Sequence, residues 1–435
     1  MEVTSSIGKD QNSPLNKRQN FFFNAAKVFS GNILYIATQW GLLVVLTKFF
    51  TPGEFGNYAL ALAIVTPIFS VSALQLRSVF VTSTSDDIKF ENYLLLRIVT
   101  NLLALCVVVI LCILGVFALE LLPLALLLGA NQGVLNMKDI YQAVMQKYER
   151  INYFSFSRVL QGSTTLIAAA VIALLTRNLL YAVVSMLVAR LAALLLYDVP
   201  SARRAVGVVS PAQAKLFNWA KLDIAESYTL ARTALPLGVI TIFLSLYPNI
   251  PRYFLAEYGT STLAYFAAVA SLMALMDVPV AALGETSSRR LAVYFSASIG
   301  NYIKLLLMLM GAGVALGAAG VIFALLFGKV FLSVFFRPEY AEFAHVFAWL
   351  MAVRIVSNVE SFLGYGLTAA RQYGVQIWIQ GLGLLSLCLA SWWLIPGWGG
   401  TGAVWAMLIS TSSTLLATSI VMMKTLHVRK RAAHA

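Results

Sequence analysis

Arg77, Arg97, Lys138, Arg158, Arg190, Arg232 and Arg354 fall inside, or at the ends of, segments apolar enough to cross a bilayer. A charge in hydrocarbon is costly unless it faces a cavity or a partner, so each is a candidate binding residue. Snorkelling from a helix end is the plainer alternative for Arg77 and Arg97. Arg354 lies deeper in its segment, with Asn358 four residues on and Glu360 beyond, where snorkelling is hard. The stretch NQGVLNMKDIYQ holds Asn131, Gln132, Asn136, Lys138 and Asp139. Asn131, Gln132, Asn136 and Asp139 lie close to one helical stripe. That stripe is predicted to face water or substrate, with a buried interhelical polar network as the alternative.

The acidic candidates are fewer: Asp139, Asp277 and Glu360. A site with excess guanidinium and ammonium suits an anion, and the Arg fork suits diphosphate oxygens in particular. A pump for organic cations is expected to show the reverse balance. The three carboxylates are the candidates for binding a coupling H⁺ or Na⁺.

No catalytic residue is assigned. There is no GxxxxGK[ST] for ATP, no HExxH, and no GxSxG with suitable His and Asp partners. Cys106, Cys112 and Cys388 all lie in apolar windows and read as buried small hydrophobes. His345, His427 and His434 are scattered, so neither a metal site nor a cofactor is expected.

The elements that must hold these residues are membrane helices. Hydrophobic residues make up 60% of the 435 and charged ones 11%, less than half the share of a soluble domain. The alternating segments of a transmembrane β-barrel are absent. The chain is read as an all-α polytopic membrane protein with about 12 spans in two six-helix bundles around a central cavity. The expected division is a cytoplasmic tail over 1–26, a bundle over 27–198, a cytoplasmic linker over 199–227, a second bundle over 228–424 and a basic tail over 425–435. The first apolar window opens only near Lys27, too far in for a cleaved signal, and reads as a retained helix.

With the N-terminus cytoplasmic, only Lys48, Arg177, Arg252, Lys329 and Arg337 of the 31 Lys and Arg fall on the outer side. The rest, including Arg203, Arg204, Lys215 and Lys221 of the polar stretch Asp198 to Ser227, fall inside. Both termini are therefore expected to be cytoplasmic. The net charge of +13 reflects this topology and does not call for nucleic acid.

The halves read as a repeat. YQAVMQKYERINYF, from Tyr141, and YGLTAARQYGVQIW, from Tyr365, each place a basic residue, Lys147 or Arg371, six positions after a Tyr and before the next span. In GAGVALGAAG, Gly313 and Gly317 have the spacing that lets two helices approach closely. Trp392, Trp393 and Trp398 read as an interfacial belt around the turn PGWGGTG.

FTPGEFGNYALALAIVTPI, LQLRSVFVTS, IYQAVMQKYER, LGYGLTAARQYG and IPGWGGTGAVWA together resemble the polysaccharide transporter family. These are the O-antigen and exopolysaccharide flippases of the multidrug/oligosaccharidyl-lipid/polysaccharide exporter superfamily. The resemblance covers nearly the whole chain through loose motifs. It implies two six-helix bundles around a V-shaped cavity in the bacterial cytoplasmic (inner) membrane. It also implies a substrate, an oligosaccharide on polyprenyl diphosphate, with membrane lipids and other polysaccharide-assembly proteins as partners. Arg77 matches the family's loosely shared arginine at the end of the second span. Two rivals are an exporter of drugs or small metabolites with the same fold, and a membrane glycan polymerase or ligase. The short outer loops disfavour the second.

Overall fold

The computed structural model describes residues 14–83, 89–209 and 223–434, without the side chains of 14–29, 208, 209, 236, 237, 239, 240, 430 and 432–434. Lys215, Lys221 and the start of the N-terminal tail lie outside the described residues. The helices are α1 (Pro14–Phe49), α2 (Pro52–Ser72), α3 (Leu76–Thr82), α4 (Phe90–Ile113), α5 (Leu122–Lys147), α6 (Ile151–Thr176), α7 (Leu179–Ala193) and α8 (Val199–Val209). They continue as α9 (Ile224–Leu246), α10 (Ile250–Ala256), α11 (Thr260–Ser271), α12 (Ala274–Ala297), α13 (Ile299–Phe335), α14 (Ala344–Ala369) and α15 (Tyr373–His434). No strand occurs among the described residues.

Ten segments of the described chain are long and apolar enough to cross a membrane. The last, Tyr373–Arg429, runs for 57 residues and is broken at Gly399, whose φ of 52° is left-handed, so it holds two crossings. Helix α9 supplies a further apolar run. The all-α, multi-span reading therefore holds. Trp392, Trp393 and Trp398 are all exposed beside the Gly399 break.

The chain divides into two compact units. One takes the chain up to Phe49 together with Ile68–Val239, and the other takes Phe50–Pro67 and the chain from Ile240 on. Helices α2 and α9 each run from one unit into the other. The expected polar stretch also begins later than its composition suggested. The chain stays helical from Leu179 to Val209, and Asp198, read as the start of a loop, is completely buried.

The local signals are physical. In FTPGEF, the Thr51 amide donates to Glu54 Oε2 at 2.8 Å and the Glu54 amide donates to Thr51 Oγ1 at 3.3 Å. This is a reciprocal capping box with Pro52 at the first helical position of α2. In the C-terminal unit, α13 lies against α14 because Gly317 has no side chain. A Cβ there would come within 2.6–2.9 Å of Ile355, including its backbone. In the N-terminal unit a Cβ on Gly162 would collide with Thr38 Oγ1, so α6 packs closely on α1.

The two halves share a turn near the repeated strings, but in a register two residues from theirs: Arg371 matches Glu149 and not Lys147. Helix α5 ends with Glu149 at φ 55° and α14 with Arg371 at φ 60°. In the first turn Glu149 N donates to Gln146 O and Arg150 N to Met145 O. In the second, Arg371 N donates to Thr368 O and Gln372 N to Leu367 O. Each is a helix-ending motif that usually carries glycine at the left-handed position. Glu149→Gly and Arg371→Gly should each raise stability by about 1 kcal/mol, the strain of a side chain at positive φ. Thermal unfolding of the purified protein reads this, and an unchanged or lowered midpoint for both counts against it.

Candidate functional site

The N-terminal unit assembles the basic cluster. Helix α2 stops at Ser72 because Leu74 and Gln75 adopt left-handed φ values of 48° and 50°. A bulky residue rarely does this. The break restarts the chain as α3 and presents Arg77. Arg77 Nη1 donates to Asp139 Oδ1 at 3.0 Å, and its Nε and Nη2 donate to Gln146 Oε1 at 3.2 and 2.9 Å. Its side chain keeps 23% exposure. Arg97, on α4, is fully buried; it donates to Ala73 O at 2.6 Å and lies 3.7 Å from Asp139 Oδ2. Asp139 thus faces two guanidinium groups. Phe154 carries Arg77 at 5.0 Å and Arg158 at 5.3 Å from its ring centre. Arg158 also donates to Asn32 Oδ1 at 2.9 Å. The cluster holds three guanidinium groups and one carboxylate. Asp86 and Asp87, in the polar loop that follows, lie outside the described residues.

The predicted stripe on α5 splits. Asn131 is buried, donates to Val183 O at 3.3 Å and accepts from Arg190 Nη1 at 3.1 Å. Asn136 donates to Phe69 O, Ser72 Oγ and Asn101 Oδ1. These amides form the interhelical network weighed as the alternative, because several backbone carbonyls face them from adjacent helices. Gln132, Asn136 and Asp139 are half-buried, and Asn131 is buried.

Lys138 is 2% exposed and pairs with a residue that inspection of the sequence missed. Its Nζ lies 3.3 Å from Asp198 Oδ2 and donates to Ser157 O at 3.0 Å. Ser157 donates to Asp198 Oδ1 at 2.5 Å and accepts from Gln142 at 2.8 Å. Asp198 ends a π-helical turn, Leu194–Asp198, in which Val199 N donates to Leu194 O. Pro200 has no N–H for the carbonyl of Leu196, so the ladder loosens there. The available signal was Lys138 itself, since a buried ammonium requires a counter-charge.

Arg190 belongs to the Asn131 network. Arg232, on α9, is exposed and makes no ion pair among the described residues. In the C-terminal unit, Arg354 is nearly buried and pairs with Asp277, whose side chain is 62% exposed. Asn358 donates to Gly313 O at 3.1 Å, joining α14 to the small-residue face of α13. Glu360 lines a cavity of about 420 Å³ with Tyr365, Gln376, Gln380 and Thr418. It has no basic partner at ion-pair distance among the described residues. No group of three or more potential metal ligands occurs among the described residues.

No family model matches the chain. It is 25% identical over 398 residues to the capsular polysaccharide biosynthesis protein CapF of Staphylococcus aureus, covering 89% of this chain and 96% of that protein. Its backbone is similar to lipid II flippase MurJ in an inward closed conformation, with a TM-score of 0.70 and 10% identity over 94% of this chain and 90% of that one. A multidrug resistance MATE transporter of the MOP superfamily in an inward-facing conformation gives 0.62 and 12% identity over 93% and 94%. The fold is that of the MurJ and MATE transporters. The resemblance read from the sequence is borne out by this fold and by the capsular relative. With its apolar helices and this fold, the chain is a multi-pass membrane protein.

Proposed function

We propose that this protein is a flippase that carries an oligosaccharide on polyprenyl diphosphate across the cytoplasmic membrane by alternating access. The observation that carries the reading is the charge of the N-terminal cluster. Among the described residues, Arg77, Arg97 and Arg158 are opposed by Asp139 alone, and Arg77 and Arg158 flank one aromatic ring. Two uncompensated positive charges on preorganised forks suit a diphosphate. An organic cation, the cargo of the multidrug rival, is repelled there. The capsular polysaccharide relative supports the same reading. The work is transport, with no bond made or broken in the cargo.

Coupling is assigned to Glu360. Asp139 and Asp277 are each held by arginine, whereas Glu360 lines a cavity with no basic ion-pair partner among the described residues. A carboxylate so placed takes up H⁺ or Na⁺.

The test is surface glycan in cells that depend on this chain. Arg77→Ala should lower it at least about tenfold, the worth of some 1.4 kcal/mol in charge recognition. Arg77→Lys should restore part, because charge returns without the fork. Membrane levels of both variants, measured by immunoblot, should match the parent. Normal glycan from Arg77→Ala and Arg158→Ala together would sink the reading.

A further inference from the structure

A second feature of the N-terminal unit points to where the hydrocarbon part of such a cargo goes; it rests on the flippase reading. Three helical stripes line an apolar groove of about 620 Å³. Helix α4 contributes Leu96, Val99, Thr100, Leu103, Ala104 and Val107, a face repeating at three and four residues. The end of α2 contributes Ile68, Val71 and Ser72, and α9 contributes Tyr228, Ala231, Arg232 and Leu235. Val99, Leu103, Val107, Leu235 and Tyr228 are exposed.

The dimensions fit one lipid chain. Leu96 to Val107 spans about 16 Å at 1.5 Å per residue. One leaflet of a ~30 Å hydrocarbon core is about as deep.

The charge fits a phosphate. Arg232 is the groove's one charged lining residue, exposed and unpaired among the described residues. Its level is set by Glu226, whose carboxylate accepts from Asn92 Nδ2 at 2.5 Å near the start of α4. Arg232 is six residues further along α9, about 9 Å from Glu226 along the helix.

The groove is continuous with the basic cluster. Ser72 and Leu74 line it, and the carbonyl of Ala73 between them holds Arg97. Ser72 Oγ also accepts from Asn136. A chain in the groove therefore lies against the same Ser72–Leu74 segment that holds Arg97 of the basic cluster.

We infer that the α2–α4–α9 groove seats the single prenyl chain of the cargo lipid, with Arg232 reading a phosphate oxygen. The occupant is a polyprenyl phosphate lipid, because the lane is apolar, about one leaflet long, carries a single cation and adjoins the guanidinium cluster at Ser72 and Leu74.

A benzophenone-bearing amino acid in place of Leu103, in the full chain, tests this by photocrosslinking in cell membranes and mass analysis of the adduct. The expected adduct carries a polyprenyl phosphate and is absent when the probe replaces Leu325, an exposed residue of the other unit. Adducts of phospholipid alone, or equal polyprenyl adducts at both positions, would overturn the assignment. Native mass spectrometry of the purified protein with a polyprenyl monophosphate is the second measurement. Leu103→Trp, which fills the lane from an exposed position, and Arg232→Gln should each weaken binding about tenfold, or 1.4 kcal/mol. Binding of phosphatidylglycerol should not change, and Arg232→Lys should keep most of the affinity. Parental affinity in both variants defeats the groove. The flippase reading fails separately, if deleting the chain leaves surface glycan intact.

Discussion

Asp198→Ala removes the carboxylate opposite Lys138 and should destabilise the N-terminal unit by roughly 3–5 kcal/mol, the cost of stranding a buried charge. The geometry leaves Lys138 no alternative. The ammonium is 2% exposed and Asp198 is completely buried. Lys138 would retain only the Ser157 carbonyl at 3.0 Å. The Ser157 hydroxyl, which accepts from Gln142, would lose the acceptor that orders it. Replacing both charges, Lys138→Met with Asp198→Ala, should recover most of the loss, because no charge then remains to be solvated. Thermal unfolding of the two single variants and the double variant in detergent gives the coupling. Additive losses, or a single variant as stable as the parent, would show that the pair contributes nothing.

Asp139→Ala should be nearly as damaging, and for function as well as stability. Arg97 is fully buried, with Asp139 as its carboxylate at 3.7 Å. Arg77 would lose its 3.0 Å contact and keep Gln146 alone. The expected cost is about 3 kcal/mol, at the lower end for a broken pair because Asp139 is partly exposed. Asp139→Asn keeps an acceptor for Arg77 and should fold and retain part of the surface glycan. Glu360→Gln should behave in the opposite way. It should fold like the parent, since it breaks no ion pair, yet abolish the dependence of transport on an H⁺ or Na⁺ gradient in vesicles. Gradient-dependent transport by Glu360→Gln would remove Glu360 from the coupling step. Its appearance as a loss in Asp139→Asn would move that step to Asp139.

The membrane class and the multi-span helical fold were legible in the sequence, because hydrocarbon leaves the backbone no partners except its own helix. The small-residue spacing Gly313 and Gly317 announced the α13–α14 approach, since only a missing Cβ allows it. A repeat was visible as a string, but the turn itself pairs Arg371 with Glu149, two residues beyond the Lys147 with which the string aligned it. The arginines could be named as costly and therefore meaningful.

What the sequence by itself determined is the inventory: apolar spans, an excess of basic over acidic groups within them, and the capping and turn residues that punctuate them. Only the tertiary structure decided the pairing. It tied Asn131 and Asn136 of the α5 stripe into an amide network and Asp139 to two arginines, brought Asp198 from an apparent loop onto Lys138, and left Arg232 and Glu360 without ion-pair partners among the described residues. The reason is that local spacing governs which face of a helix a side chain shares, whereas the charge it meets comes from another helix tens of residues away. That encounter depends on packing, and packing is set by the small residues and broken turns that no single span reveals.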